Sequence, residues 1–109
     1  METMVDVIRQ MAALRQSGEN WAELFGVSDM SLGLYRLEKG ATDPQTPHTE
    51  DEIYYVIAGR GRLLVEGRDH PMAPGVLAYV PANAKHRFHD ITESLELLVL
   101  FAPREGTRG

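Results

Sequence analysis

The sequence predicts an all-β domain that follows one short N-terminal α-helix. Apolar residues recur at helical spacing near the N-terminus, as at Val5, Ile8 and Met11. After Asp29, short runs rich in β-branched and aromatic residues alternate with turns that contain glycine or proline. The 109 residues, 43% hydrophobic and 25% charged, suit a single globular domain.

The N-terminal segment is predicted to hold the helix and an apolar anchor. The helix is expected over roughly 4–16, with Ser17 and Gly18 ending it, because glycine tolerates the left-handed conformation that closes a helix. An apolar cluster then precedes Gly26, and we expect it to pack against the β domain rather than to bind a ligand. The cluster consists of Trp21, Leu24 and Phe25.

The remaining chain is predicted to form many short strands. The Gly59–Gly61 segment is expected to be a tight hairpin turn, and Pro71 interrupts one strand. Such a pattern is typical of a sandwich or a barrel, but periodicity does not distinguish a jelly roll from an immunoglobulin-like sandwich. The expected strands are 31–38, 52–58, 62–66, 70–73, 76–80, 86–89 and 95–101.

Charge and composition disfavour several classes of partner. The net charge is −5 and the basic residues are scattered, so we expect no nucleic-acid partner. The longest apolar stretch, 97–102, is too short to cross a bilayer, so no membrane partner is expected. The chain has no cysteine, and its first residues lack the pattern of a signal peptide. These features favour a cytoplasmic protein.

Two spacings of chemically active residues stand out. In the first, Gly40 is followed by His48, Glu52 and Gly59, with three residues between the histidine and the glutamate and six between the glutamate and the glycine. The second spacing consists, in chain order, of Gly75, Pro81, Asn83, His86 and Asp90.

Taken together, these spacings resemble the paired motifs of the cupin superfamily, G-x5-H-x-H-x(3,4)-E-x6-G and G-x5-P-x-G-x2-H-x3-N. The resemblance implies a double-stranded β-helix, also called a jelly roll, with a divalent metal inside the barrel. It suggests three parts: an N-terminal helix and anchor over 1–28, a cupin barrel over 29–103 and a loose C-terminal tail over 104–109. Asn83 and Asp90 replace a glycine and an asparagine of the family pattern, and asparagine tolerates the same left-handed backbone.

The residues of these motifs predict a metal site formed by His48, Glu52 and His86. Two imidazoles and one carboxylate suit a divalent transition metal such as iron, manganese, nickel or zinc, and three ligands leave positions open for water or substrate. Side chains alternate along a strand, so Glu52 should share the face of Tyr54 and Val56. A buried carboxylate without a partner is unfavourable, and a metal would satisfy it.

One departure from the family pattern lies at Thr46, where relatives carry another histidine. A hydroxyl is a weak ligand for these metals, so Thr46 is expected to line the pocket rather than to coordinate. The other expected pocket-lining residues are Tyr35, Tyr54 and Phe88. The neighbouring polar residues are interpreted as exposed or supporting groups rather than ligands: Glu50, Asp51, His70 and His89.

The resemblance does not fix the reaction, because the cupin fold carries many activities. One hypothesis is a metal-dependent enzyme, an oxygenase or isomerase, that acts on a small organic molecule. A second is a binding or sensor domain that holds a metal and a small-molecule ligand without turnover. A third, motivated by Thr46, is a barrel that no longer binds metal. We also expect a homodimer, because so small a barrel buries a modest core.

Overall fold

The structure, a computed structural model, describes residues 2–43 and 47–106. Within these residues the chain forms one helix and six strands, which confirms the all-β class with a short N-terminal helix. The elements are α1 (Val7–Ser17), β1 (Trp21–Val27), β2 (Met30–Leu37), β3 (Asp51–Val65), β4 (Arg68–Met72), β5 (Leu77–Val80) and β6 (His86–Ala102). No helix in the described ranges is long and apolar enough to cross a membrane.

All strands pair antiparallel, in the order β1-β2-β6-β3-β4, and β5 pairs with β3 beside β4. The first strand is a departure from the sequence prediction. The sequence predicts no strand over Trp21–Val27, but this segment pairs with β2, with Trp21 opposite Tyr35. Trp21 also packs on Phe101 of the barrel, as expected of the apolar anchor. The boundary between residues 28 and 29 therefore lies in the turn of the β1–β2 hairpin. The apolar pattern alone did not indicate a strand here, because the segment is held in the sheet by backbone pairing with β2.

Two long strands replace four predicted short ones. The expected hairpin turn at Gly59–Gly61 is wrong, because β3 runs without interruption from Asp51 to Val65. Likewise β6 joins the segments expected as 86–89 and 95–101, and Asp90 lies within it at a φ of 48°. The register between β3 and β6 shifts three times between Val56 and Arg62, so this region contains bulges rather than a turn.

Gly59 makes the bend in β3 possible. Its φ is +93°, and a Cβ atom there would lie 2.0 Å from the carbonyl oxygen of Ser94 on β6. Only glycine allows both this conformation and this approach of two backbones. The bend curls the β3–β6 ladder, in which Glu52 pairs with Phe101 near one end and Val65 pairs with His86 at the other.

The barrel core and the helix form two separate apolar clusters. The barrel is filled by inward-facing side chains such as Tyr54, Phe88 and Leu97. The helix lies outside the barrel, where its buried Met11 and Leu14 pack against Leu34 of β2. Asp6 caps its N-terminus through the backbone N–H of Arg9, and Gly18 ends it in the left-handed conformation, as predicted.

A buried carboxylate fastens the helix to the sheet. Glu96 of β6 accepts two hydrogen bonds from the guanidinium of Arg15 on the helix, at 2.5 and 2.9 Å, and one from Arg36 of β2 at 3.1 Å. The Arg15 interactions dominate, and with help from Arg36 they outweigh burial and hold the pKa of the Glu96 carboxyl below its ordinary value.

Candidate metal centre

The structure brings His48, Glu52 and His86 together. One potential ligand atom from each lies within 4.8 Å of the others. Glu52 comes from the start of β3 and His86 from the start of β6, whereas His48 lies in the loop that precedes β3. The Glu52 and His86 side chains are almost fully buried, and that of His48 is 27% exposed. The group is therefore buried at Glu52 and His86 and partly open to solvent at His48.

Hydrogen bonds between two loops hold this arrangement. Asn83, in the loop before β6, has a φ of 67° and donates its backbone N–H to the His48 carbonyl at 2.6 Å. Its neighbour Ala82 donates its backbone N–H to the Asp51 carboxylate at 3.0 Å. The loop that leads to His86 is thus bound to the segment that carries His48. The left-handed conformation expected at Asn83 is confirmed.

The interior face of each strand carries the predicted residues. Glu52, Tyr54 and Val56 are all buried on one face of β3, as alternation predicted. His86 and Phe88 are likewise buried at the start of β6. This alternation places the carboxylate and the imidazole on the same side of the curled sheet.

The hydrogen bonds of His86 define which nitrogen faces the centre. Its Nδ1 lies 2.9 Å from the carbonyl oxygen of Ala84, which can only accept, so the neutral ring carries its proton on Nδ1. The lone pair of Nε2 then points towards Glu52 Oε1 and the Tyr54 hydroxyl, each 3.1 Å away. Glu52 Oε1 is fully buried and has no hydrogen-bond donor among the described residues.

Two acceptors in this position repel each other unless they share a proton or bind the same cation. The 3.1 Å separation matches the distance of about 3.0 Å that joins two ligands at right angles around an ion with bonds of about 2.1 Å. The residues therefore fit a divalent metal. Burial opposes protonation of His86, but the Glu52 carboxylate and the Ala84 carbonyl raise the pKa of the imidazole overall. A proton and a metal would thus compete for this nitrogen.

The residues expected to line the pocket occupy different positions. Tyr54 contacts His86 through its hydroxyl, and Phe88 packs edge-to-face on Tyr54 at 4.8 Å between ring centroids. Tyr35 is half-buried and donates its hydroxyl to the Asp43 carboxylate at 2.8 Å. Thr46 lies outside the described residues. A pocket-lining role for these four residues stays a prediction.

Of the polar residues set aside as exposed or supporting groups, Glu50 differs from expectation. Its side chain is buried, and it accepts a hydrogen bond from Thr49 at 2.7 Å. The exposed position expected for His70 is confirmed. His89 faces away from the centre and pairs with Asp69 at 2.7 Å. The position of Glu50 follows from the fold of the loop, which periodicity does not describe.

Glu105 is a residue near the centre that the sequence did not indicate. Its Oε2 lies 3.9 Å from His48 Nδ1. Burial raises the pKa of the Glu105 carboxyl, and the neighbouring Glu50 and Glu52 add to this, while His48 acts in the opposite direction. The sequence predicts a loose tail over 104–109, and no motif or periodicity links Glu105 to His48.

Comparisons with known proteins agree with this geometry. A family model described as a cupin domain matches residues 33–102. An uncharacterized protein of Streptomyces coelicolor is 47% identical over 77 residues, which cover 71% of this chain and 73% of that protein. An acireductone dioxygenase of Bacillus thuringiensis is 39% identical over 46 residues, which cover 38% of this chain and 27% of the dioxygenase.

Among solved structures, the TT1209 protein of Thermus thermophilus superposes with a TM-score of 0.74 at 28% identity, covering 94% of this chain and 99% of that one. Likeness over nearly the whole of both chains agrees with a small, single-domain barrel. The chain therefore belongs to the cupin family, as the family match, the curled antiparallel sheet and the two sequence motifs all indicate.

Proposed function

We propose that His48, Glu52 and His86 bind one divalent transition metal, and that this centre acts on a small organic molecule. The observation that carries the proposal is the pair of facing acceptors, Glu52 Oε1 and His86 Nε2, 3.1 Å apart in a buried site. Iron, manganese, nickel and zinc all suit a set of two imidazoles and one carboxylate.

The chain's own groups would have distinct tasks at such a centre. A bound divalent metal would polarise substrate oxygens, and iron would add chemistry with dioxygen. The Ala84 carbonyl holds the His86 ring by its Nδ1 proton. Phe101 packs edge-to-face on His48 with 5.0 Å between ring centroids, which limits the motion of the imidazole ring on that side. The Tyr54 hydroxyl, 3.1 Å from His86 Nε2, is placed to hold or deliver a proton beside a bound molecule.

Within this proposal, an oxygenase-type or isomerase-type enzyme is the main candidate. The partial similarity to an acireductone dioxygenase supports the oxygenase branch. The second candidate is a domain that binds a metal and a small ligand without turnover. The threonine at position 46, where the cupin motif has a further histidine, motivates a different alternative, a barrel that no longer binds metal.

Metal analysis tests the proposal. Protein purified without a histidine tag should contain close to one equivalent of metal, and His86→Ala should lose most of it because two strong ligands remain. His89→Ala is a matched control, since His89 lies on the same strand but pairs with Asp69. Equal metal content in the wild type and both variants would refute the site.

A second experiment separates the two candidate functions. The metal-loaded protein is given a panel of small organic acids, enediols and sugars while dissolved oxygen and product formation are followed. Oxygen uptake supports an oxygenase, and product without oxygen uptake supports an isomerase. Saturable ligand binding with no turnover supports the binding domain.

A further inference from the structure

The chain after β6 does not leave the barrel but crosses towards the β1–β2 hairpin. The backbone N–H of Arg104 donates to the Ser28 carbonyl at 3.4 Å, and that of Glu105 donates to Ser31 Oγ at 3.1 Å. The Arg104 guanidinium also pairs with Glu23 of β1 at 3.4 Å. Ser31 is buried, so the bond to Glu105 has a fixed acceptor. The position of Glu105 is therefore set by the fold.

This path places the Glu105 carboxylate beside the more exposed of the two histidines. Glu105 Oε2 lies 3.9 Å from His48 Nδ1, and its side chain is 41% exposed. The distance is longer than a hydrogen bond, which needs about 3 Å between the two atoms. The carboxylate is close enough to accept the Nδ1 proton of His48 after a small side-chain rotation.

The two histidines differ in what holds their rings. His86 is oriented by a backbone carbonyl 2.9 Å from its Nδ1. His48 comes from a loop rather than from a strand, and its ring is held on one side by Phe101. A ligating histidine generally donates its second ring N–H to a carboxylate or carbonyl, which fixes the tautomer and makes the ligating nitrogen more basic.

We propose that Glu105 is a positioning residue for His48: its carboxylate accepts the Nδ1 proton and so directs Nε2 towards Glu52 and His86. This inference rests on the proposed metal site and names a residue that serves it. It also offers a physical reason why a site with threonine at position 46 remains usable, because a firmly oriented His48 is a stronger ligand than a mobile one.

The first test measures metal affinity by competition titration with Zn²⁺ and a chromophoric chelator. Glu105→Ala should weaken binding about 10- to 100-fold, the range found when a supporting group of a ligating histidine is removed. Glu105→Gln should lose less, since an amide oxygen still accepts the proton but carries no charge. Glu93→Gln is the control, because Glu93 is an exposed carboxylate that pairs with Arg60.

The second test needs no metal. Long-range ¹⁵N–¹H correlation spectra report which nitrogen of a neutral imidazole carries the proton. In the wild type, His48 should be protonated on Nδ1, and in Glu105→Ala the population should move towards Nε2. The His86 ring is an internal control, because the Ala84 carbonyl holds its tautomer in both proteins.

The outcomes separate the two proposals. If the wild type binds Zn²⁺ and Glu105→Ala binds it equally well, Glu105 has no positioning role and the metal site stands. If the wild type binds no metal, the proposed function fails, and the spectra alone decide on Glu105. An unchanged His48 tautomer in Glu105→Ala then overturns the inference, and a shifted one supports it.

Discussion

Gly59 is the position at which one methyl group should affect both the stability of the protein and the proposed metal site. Glu52 and Val65 are thirteen residues apart on β3, so a straight strand would separate them by about 43 Å. The longest dimension of the molecule is 40 Å. Yet Glu52 lies 3.1 Å from His86, the residue that pairs with Val65. The ends of the ladder meet because β3 bends at the bulges around Gly59.

Gly59→Ala should disturb this bend through two effects of different size. Alanine at a φ of +93° is strained, which costs about 1–2 kcal/mol. In addition, its Cβ would lie 2.0 Å from the Ser94 oxygen, where ordinary contacts begin at 3.4 Å. The backbone of β6 would have to move by more than 1 Å, at the expense of about two hydrogen bonds worth about 1 kcal/mol each. The total loss in the free energy of unfolding is then about 3–4 kcal/mol.

Gly67→Ala is the control that carries the strain without the clash. Gly67 lies in the β3–β4 turn at a φ of +79°, and nothing lies within 4 Å of its missing Cβ. Its replacement should cost the strain alone, about 1–2 kcal/mol. Urea unfolding followed by tryptophan fluorescence measures both variants, and the Zn²⁺ titration should show weaker binding in Gly59→Ala alone. Equal stability losses in the two variants would refute the role assigned to the bend.

Three other expectations follow from the structure and the motifs. Thr46→His should tighten Zn²⁺ binding, because it restores the further histidine of the cupin motif; unchanged affinity in the competition titration would contradict this. Glu96→Gln should lower the free energy of unfolding by about 2 kcal/mol at neutral pH. Because folding lowers the pKa of Glu96, its contribution is complete above the pKa of the unfolded state and is lost as the pH falls through the folded value. The difference between wild type and Glu96→Gln in urea unfolding should therefore shrink in acid, and a difference independent of pH would argue against the ion pairs. Finally, the outer face of β3 and β5 exposes three apolar side chains, Tyr55, Leu77 and Tyr79, at 40%, 60% and 59%, and we propose that two copies of the chain pair through this face. Sedimentation equilibrium should give a mass of twice 12.2 kDa, and a single species at 12.2 kDa would exclude the homodimer.

The homodimer expectation now has a different structural basis. Part of the apolar helix face packs on the protein's own sheet, with Met11 and Leu14 buried against Leu34, whereas Ile8 is 80% exposed. Trp21 likewise packs edge-to-face on Phe101 of its own barrel, with 6.1 Å between ring centroids. We propose that a partner meets the strand face described above, which carries three exposed apolar side chains.

The amino-acid sequence by itself was sufficient for the features that depend on local geometry. Side chains alternate along any strand, so the burial of Glu52 with Tyr54, and of His86 with Phe88, followed from their spacing. The left-handed conformations at Gly18 and Asn83 also followed from residue type. The two motifs then named the three residues that the structure brings within 4.8 Å of one another.

The tertiary structure alone decided what depends on a partner distant in the chain. Glycine at 59 permits a tight turn as readily as a bulge, and only the approach of Ser94 across the sheet selects the bulge. The Trp21–Val27 segment becomes a strand because β2 satisfies its backbone groups, which its own apolar pattern does not reveal. Glu105 reaches His48 because Ser28 and Ser31 accept hydrogen bonds from the returning chain. Local preferences are encoded residue by residue, whereas these contacts exist only after the chain has closed on itself.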